Sequence, residues 1–550
     1  VLAARGVAPD EALRFLAPAI RDLMPDPSSL TDMDVAAGRI ADAIDRHEKI
    51  AIFGDYDVDG AASSALLYRY LRHFGILADI RIPDRITEGY GPNPAAIAEL
   101  VEGGARLIVT VDCGTTSEAA LEAAEAAGRD VVVLDHHQTG TRLPPAIAIV
   151  NPNRQDDLSG QGHLAAAGVV FLTLAAVSRV LRKRGRTQAE LPDILHLLDL
   201  AALATICDVV PLIGFNRALV VKGLAVIRQQ GNAGLRMLSR VARISGPIDP
   251  YHLGFMLGPR INAGGRIGEA HLGARLLTID DENEAAALAG ELDVLNAERQ
   301  AMERAMLGEA EAEIGAEIGT GDGPPILVTA RQTWHPGIVG LIAARLKERH
   351  RRPAFAIAFA ANGTGTGSGR SIAGFDLGAL VRGAVEAGIL VKGGGHAMAA
   401  GITIERARLG DFRAFVEQRS AQAVGALLGA DCLSLDGAMS ARGLTRALFD
   451  RLESAGPYGS GHPQPLFALP RHRIESAGVV GNGHIRATLK AADGATVSAI
   501  AFRAEDSDVG RRLLGRRDLP VHVAGTLTLD RYRGAETVGF RIVDMADAFA

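Results

Sequence analysis

Acidic residues at alternate positions follow a short apolar run, and they are the clearest candidates for chemistry. Residues 54–60 read Gly-Asp-Tyr-Asp-Val-Asp-Gly and come directly after the apolar residues 50–53. A buried strand that ends in alternating acids places oxygen ligands at the carboxyl edge of a sheet, where open α/β folds build their sites. Further titratable groups follow other apolar stretches, namely Asp112, the run Asp135-His136-His137, and Asp208.

These side chains suit divalent cations that prefer oxygen ligands. The candidate ligands are Asp57, Asp59, Asp112, His136 and Asp208. This mixture is too rich in carboxylates for structural zinc and suits Mn²⁺ or Mg²⁺. Two cations about 3.5–4 Å apart, bridged by one carboxylate, would turn bound water into a nucleophile and hold phosphoryl oxygens. A single Asp after a strand is usually a helix cap, but that explanation fits several acids and two adjacent histidines poorly.

Two glycine-rich segments in the second half of the chain predict contacts to phosphate. Residues 363–369 form one predicted turn, and residues 392–401 contain the other. The candidates in and beside them are Arg370, Ser371, Gly394, Gly395 and His396. Glycine lets a phosphate approach backbone N–H groups, while arginine and histidine supply charge or hydrogen bonds. A single glycine-rich turn is more often a hairpin, and two beside polar side chains leave both interpretations open.

The elements that would position these residues alternate between strand and helix from about 49 to 211. Strands are predicted at residues 50–53, 78–82, 107–111, 131–134 and 146–150. Continuous apolar strands separated by helices indicate a parallel sheet that is covered on both faces. Residues 280–318 predict either a coiled-coil seam or a long helix between two lobes, and the broken heptad at Arg299 favours the bridging helix.

Two further regions follow this helix. Residues 324–430 predict a second α/β unit, and residues 431–550 predict five short strands that fit a small barrel of the oligonucleotide-binding (OB) kind. The last strands carry Arg531, Tyr532, Arg533 and Arg541, and basic residues with an aromatic are typical of single-strand binding. A plain barrel explains this pattern equally well. The predicted domains are 1–45 (helical lead-in), 46–230 (catalytic α/β), 231–320 (connection), 321–430 (second α/β) and 431–550 (barrel).

Composition describes a globular chain. It has 550 residues, 22% of them charged, with a net charge of -6, so the overall charge does not indicate a polyanion partner. Nowhere do the roughly 20 consecutive apolar residues of a membrane span occur, and the first residues lack a signal-peptide pattern. The three cysteines are far apart and form no metal-binding pair. We therefore expect a soluble, cytoplasmic protein without membrane association.

Motifs in this sequence resemble those of a known family. Residues 54–60, 111–114, 135–137 and 204–211 resemble, in order, the four motifs of the DHH phosphoesterase superfamily, the first in the form seen in RecJ-type exonucleases. Residues 258–266, 334–340, 369–371 and 394–396 are similar to further RecJ motifs. The resemblance implies a DHH parallel-sheet domain and a smaller DHH-associated domain joined by a long helix, with an OB-like barrel at the C-terminus.

The resemblance also implies an activity and residue roles. The expected enzyme is a single-strand-specific 5′ to 3′ DNA exonuclease that releases mononucleotides in repair and recombination and uses two Mn²⁺ or Mg²⁺ ions. The implied metal ligands are Asp57, Asp59, Asp112, His136 and Asp208, with Asp112 as the bridge. His137 would hydrogen-bond the scissile phosphate or support the shell of metal ligands. Asp55 would bind the first metal directly or lie in the second shell around it.

Substrate contacts are implied for a second set of residues: His137, Arg260, Asn262, Arg266, Arg370, Ser371, Gly394, Gly395 and His396. For Arg260 and Arg266 the structural alternative is an ion pair between the lobes. His335 could simply shape the start of a helix. Implied partners are single-stranded DNA, a RecQ-type helicase and a single-strand-binding protein, with the enzyme acting as a monomer.

Two other functions remain open at the level of sequence. One is a phosphodiesterase for short oligonucleotides or small phosphate esters, built on the same two α/β lobes. The C-terminal β region favours a polymeric substrate over this alternative. The other is a non-catalytic DNA-binding scaffold, which the full set of expected acidic residues disfavours.

Overall fold

The computed structural model describes residues 1–318, 323–429, 432–515, 519–532 and 535–548. Its contacts divide the chain into two compact units. One unit contains Asp26–Asp208 and Gly223–Cys432, and the other contains Val1–Pro25, Val209–Lys222 and Leu433–Ala550. The short helices α1 (Ala12–Leu16) and α2 (Ile20–Leu23) open the second of these units. The expected lead-in 1–45 is therefore divided at Pro25, and its first part belongs with the C-terminal region.

The first sheet is parallel, and its strand order reverses beside the acidic segment. Its strands are β1 (Ile50–Gly54), β2 (Asp79–Arg81), β3 (Leu107–Val111), β4 (Asp130–Leu134) and β5 (Ala148–Val150). They are ordered β2-β1-β3-β4-β5, and all neighbouring pairs are parallel. The carboxyl ends of β1 and β3 therefore flank the switch point at which open α/β sheets bind ligands.

Helices cover both faces of this sheet. They are α3 (Met33–Asp45), α4 (Val58–His73), α5 (Pro94–Glu102), α6 (Glu118–Ala126), α7 (Ala166–Lys183) and α8 (Leu198–Cys207). Alternate strand residues such as Phe53 and Ile108 pack against α5 and α6. The side chain of Asn93 accepts the N–H of Ala96 at 2.9 Å and Pro94 is the first helical residue, which explains where α5 begins.

A mainly helical region connects the two lobes. It contains α9 (Gly214–Arg228), α10 (Ala233–Val241), a π-helical segment (His252–Leu257), α11 (Gly258–Ile267), α12 (Leu272–Thr278) and α13 (Glu282–Ile318). The 37-residue α13 packs against α10 and α11 at one end and against the second lobe at the other, which confirms the bridging helix. Arg299 is buried and bonds to Asn296 and Glu303, so it replaces an apolar heptad position with a satisfied polar cluster. None of the described helices is long and apolar enough to cross a bilayer.

The second lobe contains a mixed sheet. Its elements are β6 (Leu327–Arg331), α14 (Val339–His350), β7 (Ala354–Phe359), β8 (Thr364–Arg370), α15 (Leu377–Glu386), β9 (Lys392–His396), β10 (Ala399–Glu405) and α16 (Leu409–Gly429). The strand order is β6-β7-β8-β10-β9. The two glycine-rich segments, predicted as turns, are largely strands β8 and β9. A Cβ on Gly365 or Gly369 would lie 2.6 or 2.4 Å from the ring of Phe359 or Phe355, so these glycines make room for buried aromatic residues.

The C-terminal region forms a closed barrel. Its elements are β11 (Gly437–Ala438), α17 (Arg446–Ser454), β12 (Phe467–Val480), β13 (His484–Lys490), β14 (Thr496–Ala501), α18 (Asp508–Gly515), β15 (Val521–Tyr532) and β16 (Ala535–Asp547). The order is β11-β12-β13-β14-β16-β15, and pairing of β12 with β15 closes the five long strands. Register shifts in β12 let this strand bend and pair on both edges. The expected OB-like barrel is confirmed.

Candidate metal centre and phosphate cleft

The acidic segment 54–60 turns from β1 into α4, and Asp57 caps that helix. Its carboxylate accepts hydrogen bonds from the N–H groups of Asp59 at 2.8 Å and Gly60 at 3.2 Å. A short polar side chain is favoured at this position because the first helical N–H groups lack partners. A Cβ on Gly60 would lie 2.3 Å from the carbonyl oxygen of Asp55, so glycine allows the helix to start against the acidic segment.

Asp59 is buried between the N-terminal ends of two helices. It lies in the first turn of α4, and its carboxylate accepts the N–H groups of Ala166 at 2.7 Å and Ala167 at 2.8 Å at the start of α7. Unpaired N–H groups and the helix dipole stabilise negative charge there. Burial nevertheless raises the pKa of Asp59 above its usual value, and the neighbouring Asp57 adds to that shift.

Asp112 follows β3 in a strained backbone conformation. Its φ is 60°, a left-handed value that is uncommon for residues other than glycine and is concentrated at functional sites. The residue is 2% exposed, and its Oδ1 has no hydrogen-bond partner among the described residues. This oxygen lies 3.3 Å from Nε2 of His136. Asp112 therefore offers a buried, unsatisfied acceptor at the sheet edge.

His136 presents one ring nitrogen to three acids. Its Nδ1 lies 2.9 Å from the carbonyl oxygen of Leu164, and since a carbonyl only accepts, Nδ1 carries the proton. The other ring nitrogen, Nε2, faces the acids. This nitrogen lies 3.3 Å from Asp112, 3.8 Å from Asp59 and 3.8 Å from Asp208. Such an arrangement is typical of metal-binding histidines, whose second nitrogen is held by a backbone carbonyl.

Asp208 reaches the same place from the end of α8. Its N–H donates to the carbonyl of Ala204 at 2.8 Å, so the residue ends the helix while its carboxylate lies near His136. Burial, followed by the charges of Asp59 and Asp57, raises the pKa of Asp208 to about 9. Burial and neighbouring carboxylates also raise the pKa of Asp112 well above its usual value.

Together these side chains form clusters that fit divalent cations. Possible ligand atoms lie within 4.8 Å of one another in three overlapping groups: Asp55, Asp57 and Asp112; Asp59, His136 and Asp208; and Asp112, His136 and His137. Oδ1 of Asp55, like that of Asp112, is buried without a hydrogen-bond partner among the described residues. Mutual repulsion and unsatisfied oxygens indicate that positive charge belongs here. The structure thus brings together all six residues that the sequence predicted as metal ligands.

Asp135 is a site residue to which the sequence analysis gave no role. Its buried carboxylate accepts hydrogen bonds from Thr115 Oγ1 at 2.7 Å, the N–H of His136 at 2.8 Å and Nδ1 of His137 at 2.8 Å. Although burial acts in the opposite direction, the bonds from His137 and Thr115 hold the pKa of Asp135 well below its usual range. Burial lowers the pKa of His137, but the bond to Asp135 outweighs it and gives a net increase. Asp135 therefore holds the ring of His137 and the backbone of His136.

A large cleft opens beside the metal cluster. It has a volume of about 700 Å³ and is lined by Tyr56, Arg85 and Tyr90 from the first lobe and by Arg370 and the glycine-rich β9 from the second. The Tyr90 hydroxyl donates to the carbonyl oxygen of Asp112 at 3.1 Å and lies 3.0 Å from Nδ1 of His137. Arg85 and Tyr90 were missed by the sequence analysis. Both lie in the loop after β2, whose carboxyl end shares the same sheet edge, so the strand-end rule would have found them.

Three guanidinium groups, which we call the arginine trio, lie in or beside this cleft without carboxylate partners. They belong to Arg85, Arg266 and Arg370, and no described acid forms an ion pair with any of them. Burial and the neighbouring charges of Arg85 and Arg299 lower the pKa of Arg266 to about 10. Burial and Arg85 also lower the pKa of Arg370. The ion-pair alternative for Arg266 is not observed, and the trio needs anionic ligands.

Other predicted substrate residues differ in their surroundings. Arg260 donates to Asp293 of α13 at 2.8 Å, so it forms an ion pair, but within the connecting region and not between the lobes. The Ser371 hydroxyl is buried and donates to the carbonyl of Phe375 at 2.7 Å, so it is already satisfied. Asn262 Oδ1 is buried without a partner among the described residues. Gly394 and Gly395 line the cleft, whereas the exposed His396 does not.

His335 also takes the structural role considered for it, since its Nδ1 accepts the N–H of Gly337 at 3.1 Å at the approach to α14. Burial lowers the pKa of His335, in keeping with a neutral ring that accepts this bond. A Cβ on Gly337 would lie 2.2 Å from the carbonyl oxygen of Arg266, so this turn packs tightly against the end of α11. His335 therefore shapes the backbone beside the cleft.

Comparisons with known protein families cover most of the chain. Residues 49–205 match the DHH family, N-terminal domain. Residues 323–422 match the DHHA1 domain. Residues 435–544 match the RecJ OB domain. These regions coincide with the first lobe, the second lobe and the barrel.

Individual relatives are similar over comparable lengths. The single-stranded-DNA-specific exonuclease RecJ of Dickeya dadantii (strain 3937) is 40% identical over 443 residues, which are 77% of this chain and 75% of that protein. RecJ of Escherichia coli (strain K12) is 38% identical over 456 residues, covering 80% and 78%. The crystal structure of RecJ in complex with Mn²⁺ from Thermus thermophilus aligns with a TM-score of 0.80 at 33% identity, over 100% of this chain and 77% of that one. With its motifs, lobes and barrel in the same order, the chain belongs to the RecJ family of DHH phosphoesterases.

Proposed function

We propose that this chain is a single-strand-specific DNA exonuclease that removes mononucleotides from the 5′ end by phosphodiester hydrolysis, in DNA repair and recombination. One observation carries the proposal: a carboxylate–imidazole cluster stands beside a cleft that also adjoins the unpaired arginine trio. Metal ligands beside cationic groups that have no carboxylate partner suit the hydrolysis of a phosphodiester. Two relatives that are 40% and 38% identical to this chain are named single-stranded-DNA-specific exonucleases, which supports the substrate.

Residues are present to hold Mn²⁺ or Mg²⁺, the ions found in the structures of Thermus thermophilus RecJ. Asp55, Asp57 and Asp112 would form one set of ligands, and Asp59, His136 and Asp208 would form the other. When bound, such ions supply an activated water and neutralise charge on the phosphoryl oxygens. Asp112 is close to both sets, because its Oδ1 is 3.3 Å from His136.

The remaining side chains orient the substrate. The arginine trio would hold phosphate oxygens, with β9 glycines allowing the backbone to approach the strand. His137, held by Asp135 and beside the Tyr90 hydroxyl, would donate a hydrogen bond to the scissile phosphate. Three clustered cations suit the extra negative charge of a terminal phosphate, which supports attack at the phosphorylated 5′ end.

The barrel would provide a further binding surface for the single strand. Phe502 is 49% exposed, the guanidinium of Arg541 lies 5.3 Å from its ring centroid, and His484 packs on its edge. An exposed aromatic with a cationic neighbour is a common arrangement for binding single strands. The side chains of Arg531 and Tyr532, and Arg533 as a whole, which the sequence analysis also assigned to this surface, lie outside the described residues.

An enzyme limited to single strands depends on other proteins to expose its substrate. We therefore also propose that a RecQ-type helicase and a single-strand-binding protein supply the strand, and that the enzyme works as a monomer in the cytoplasm. The reasoning is chemical, since duplex ends must be opened before a single strand can enter a cleft. Pull-down with a helicase tests the proposed partner, and sedimentation of the pure protein tests whether it is a monomer.

The experiment compares wild-type protein with Asp112→Ala on single strands labelled at either end, with Mn²⁺ present. We expect wild-type protein to release labelled mononucleotide first from the 5′-labelled strand and the variant to lose at least a thousandfold in turnover. Binding of the strand should fall much less, because affinity is spread over phosphate contacts that weaken with salt. Equal loss of binding and turnover, or release first from the 3′ end, would contradict the proposal.

A further inference from the structure

Two aromatic side chains stand in solvent on the π-helical segment before α11. Tyr251 is 60% exposed and Phe255 is 72% exposed, which makes them the two most exposed aromatic residues among those the structure describes. Their ring centroids lie 5.1 Å apart with an angle of 24° between the planes, so the rings form a stacked pair. Exposed apolar surface of this kind usually marks an interaction site.

The segment that carries these rings is fixed to the end of α8. Cys207 Sγ donates to the carbonyl oxygen of Leu253 at 3.5 Å. A Cβ on Gly258 would lie 2.5 Å from this sulfur, and one on Gly254 would touch Ile206 at 3.4 Å. Glycine at both positions therefore lets the segment lie directly against α8. Single π-turns within helices are often found at functional sites.

This attachment places the rings near the metal cluster. Cys207 immediately precedes Asp208, one of the candidate ligands. The segment that carries the rings therefore contacts α8 at the residue directly before Asp208.

We propose that Tyr251 and Phe255 form an aromatic platform on which bases of the single-stranded substrate stack outside the metal centre. The inference rests on the proposed function and adds a contact for the strand. Flat, stacked rings suit nucleobases, because every base presents a π-face and stacking tolerates any sequence. The segment adjoins Asp208, a candidate metal ligand at the place where the end of the strand would be cut.

The experiment measures strand affinity in a chelator, which prevents cleavage, and turnover with Mn²⁺. Phe255→Ala and Tyr251→Ala should each weaken binding of a long oligothymidylate about tenfold, as expected for loss of one stacked base. The loss of kcat/KM should be several-fold larger for the long strand than for a dinucleotide. Val294→Ala, at a 59% exposed position on α13, serves as the matched control and should change neither.

Two further variants separate stacking from general apolar contact. Phe255→Leu keeps an apolar side chain without a π-face and should be nearly as defective as Phe255→Ala. Phe255→Trp should bind normally, and its fluorescence should be quenched by the strand; the natural chain contains one tryptophan, the buried Trp334, as background.

Full affinity in Phe255→Leu would overturn the platform and favour a docking site for another protein. Unchanged binding in both alanine variants would overturn it as well. Failure of the wild-type protein to cleave single strands would instead contradict the proposed function, so the two results can be told apart.

Discussion

The metal-binding residues combine burial with like charge, which must cost stability when no cation is present. Asp208 is the clearest case, since folding raises its pKa from 3.8 to about 9. Between these values the folded protein keeps a proton that the unfolded chain has lost. The free energy of unfolding therefore falls as the pH rises through this range. Enzymes commonly accept such a loss where charge is needed for function.

We expect Asp208→Asn to be more stable than the wild-type protein at high pH in the absence of metal. The amide removes the carboxylate that burial and its acidic neighbours disfavour. In a chelator, the wild-type unfolding temperature should fall as the pH rises from about 4 towards 9, with a contribution from this residue of at most about 1.4 kcal/mol per pH unit. The variant should show a shallower slope in scanning calorimetry.

Addition of Mn²⁺ provides the control for this prediction. It should raise the unfolding temperature of the wild-type protein more than that of Asp208→Asn, because the variant lacks one ligand. Identical pH slopes for the two proteins would mean that Asp208 does not carry the repulsion.

At the scale of elements, close backbone contacts hold the helices against the catalytic loops. α11 lies directly on segment 54–60, because a Cβ on Gly265 would come within 2.6 Å of the carbonyl oxygen of Tyr56. This contact fixes Arg266, the next residue, beside Asp57. Gly290 in the long helix α13 makes no such close contact, because an added Cβ would meet nothing within 4 Å.

Gly265→Ala should therefore destabilise the protein by about 1–3 kcal/mol, since a rigid backbone group must move. Turnover should fall as well, because α11 and the arginine it carries would shift from the cleft. Gly290→Ala adds the same methyl group in open space within a helix and should stabilise the protein by about 0.5–1 kcal/mol. Urea unfolding and nuclease assays on both variants test the pair, and equal effects would refute the packing argument.

At the scale of the whole molecule, the unit that contains the barrel is assembled from three separate stretches of chain. Arg217 from the middle stretch joins them. Its guanidinium is 3.8 Å from the centroid of the Phe15 ring and donates to the carbonyls of Phe15 at 2.8 Å and Ala455 at 2.9 Å. Burial lowers the pKa of Arg217 to about 10. A truncation after Cys432 would remove carbonyls that this buried charge needs.

Arg217→Met should cost about 3 kcal/mol of the free energy of unfolding of this unit, because it leaves several buried carbonyls without donors. Urea unfolding followed by circular dichroism measures the effect. Arg21→Met is the matched control, since the side chain of Arg21 is 93% exposed in the same unit. A midpoint for Arg217→Met equal to that of the control would show that the three stretches are held by other contacts.

Much of the site follows from the sequence alone. Each candidate metal ligand lies after a buried strand or at one end of a helix, and apolar patterns reveal where strands end. Parallel strands then bring Asp57, Asp112 and His136 to one edge without further information. The alternating pattern in the C-terminal region likewise indicates a barrel, because the alternation of apolar and polar residues is a local property of the sequence.

Only the tertiary structure shows those properties of a residue that depend on contacts with residues distant in the chain. Whether Arg260 or Arg266 is free for phosphate depends on Asp293 of α13, which pairs with the first and leaves the second unpaired. The glycine-rich sequences of β8 and β9 predict turns. In the folded protein, the glycines of β8 pack against Phe355 and Phe359 within a strand. The exposure of Tyr251 and Phe255, on which the proposed platform rests, is seen only in the structure, because exposure is a property of the folded surface. Charge pairing and burial are pairwise quantities, so no single stretch of sequence can specify them.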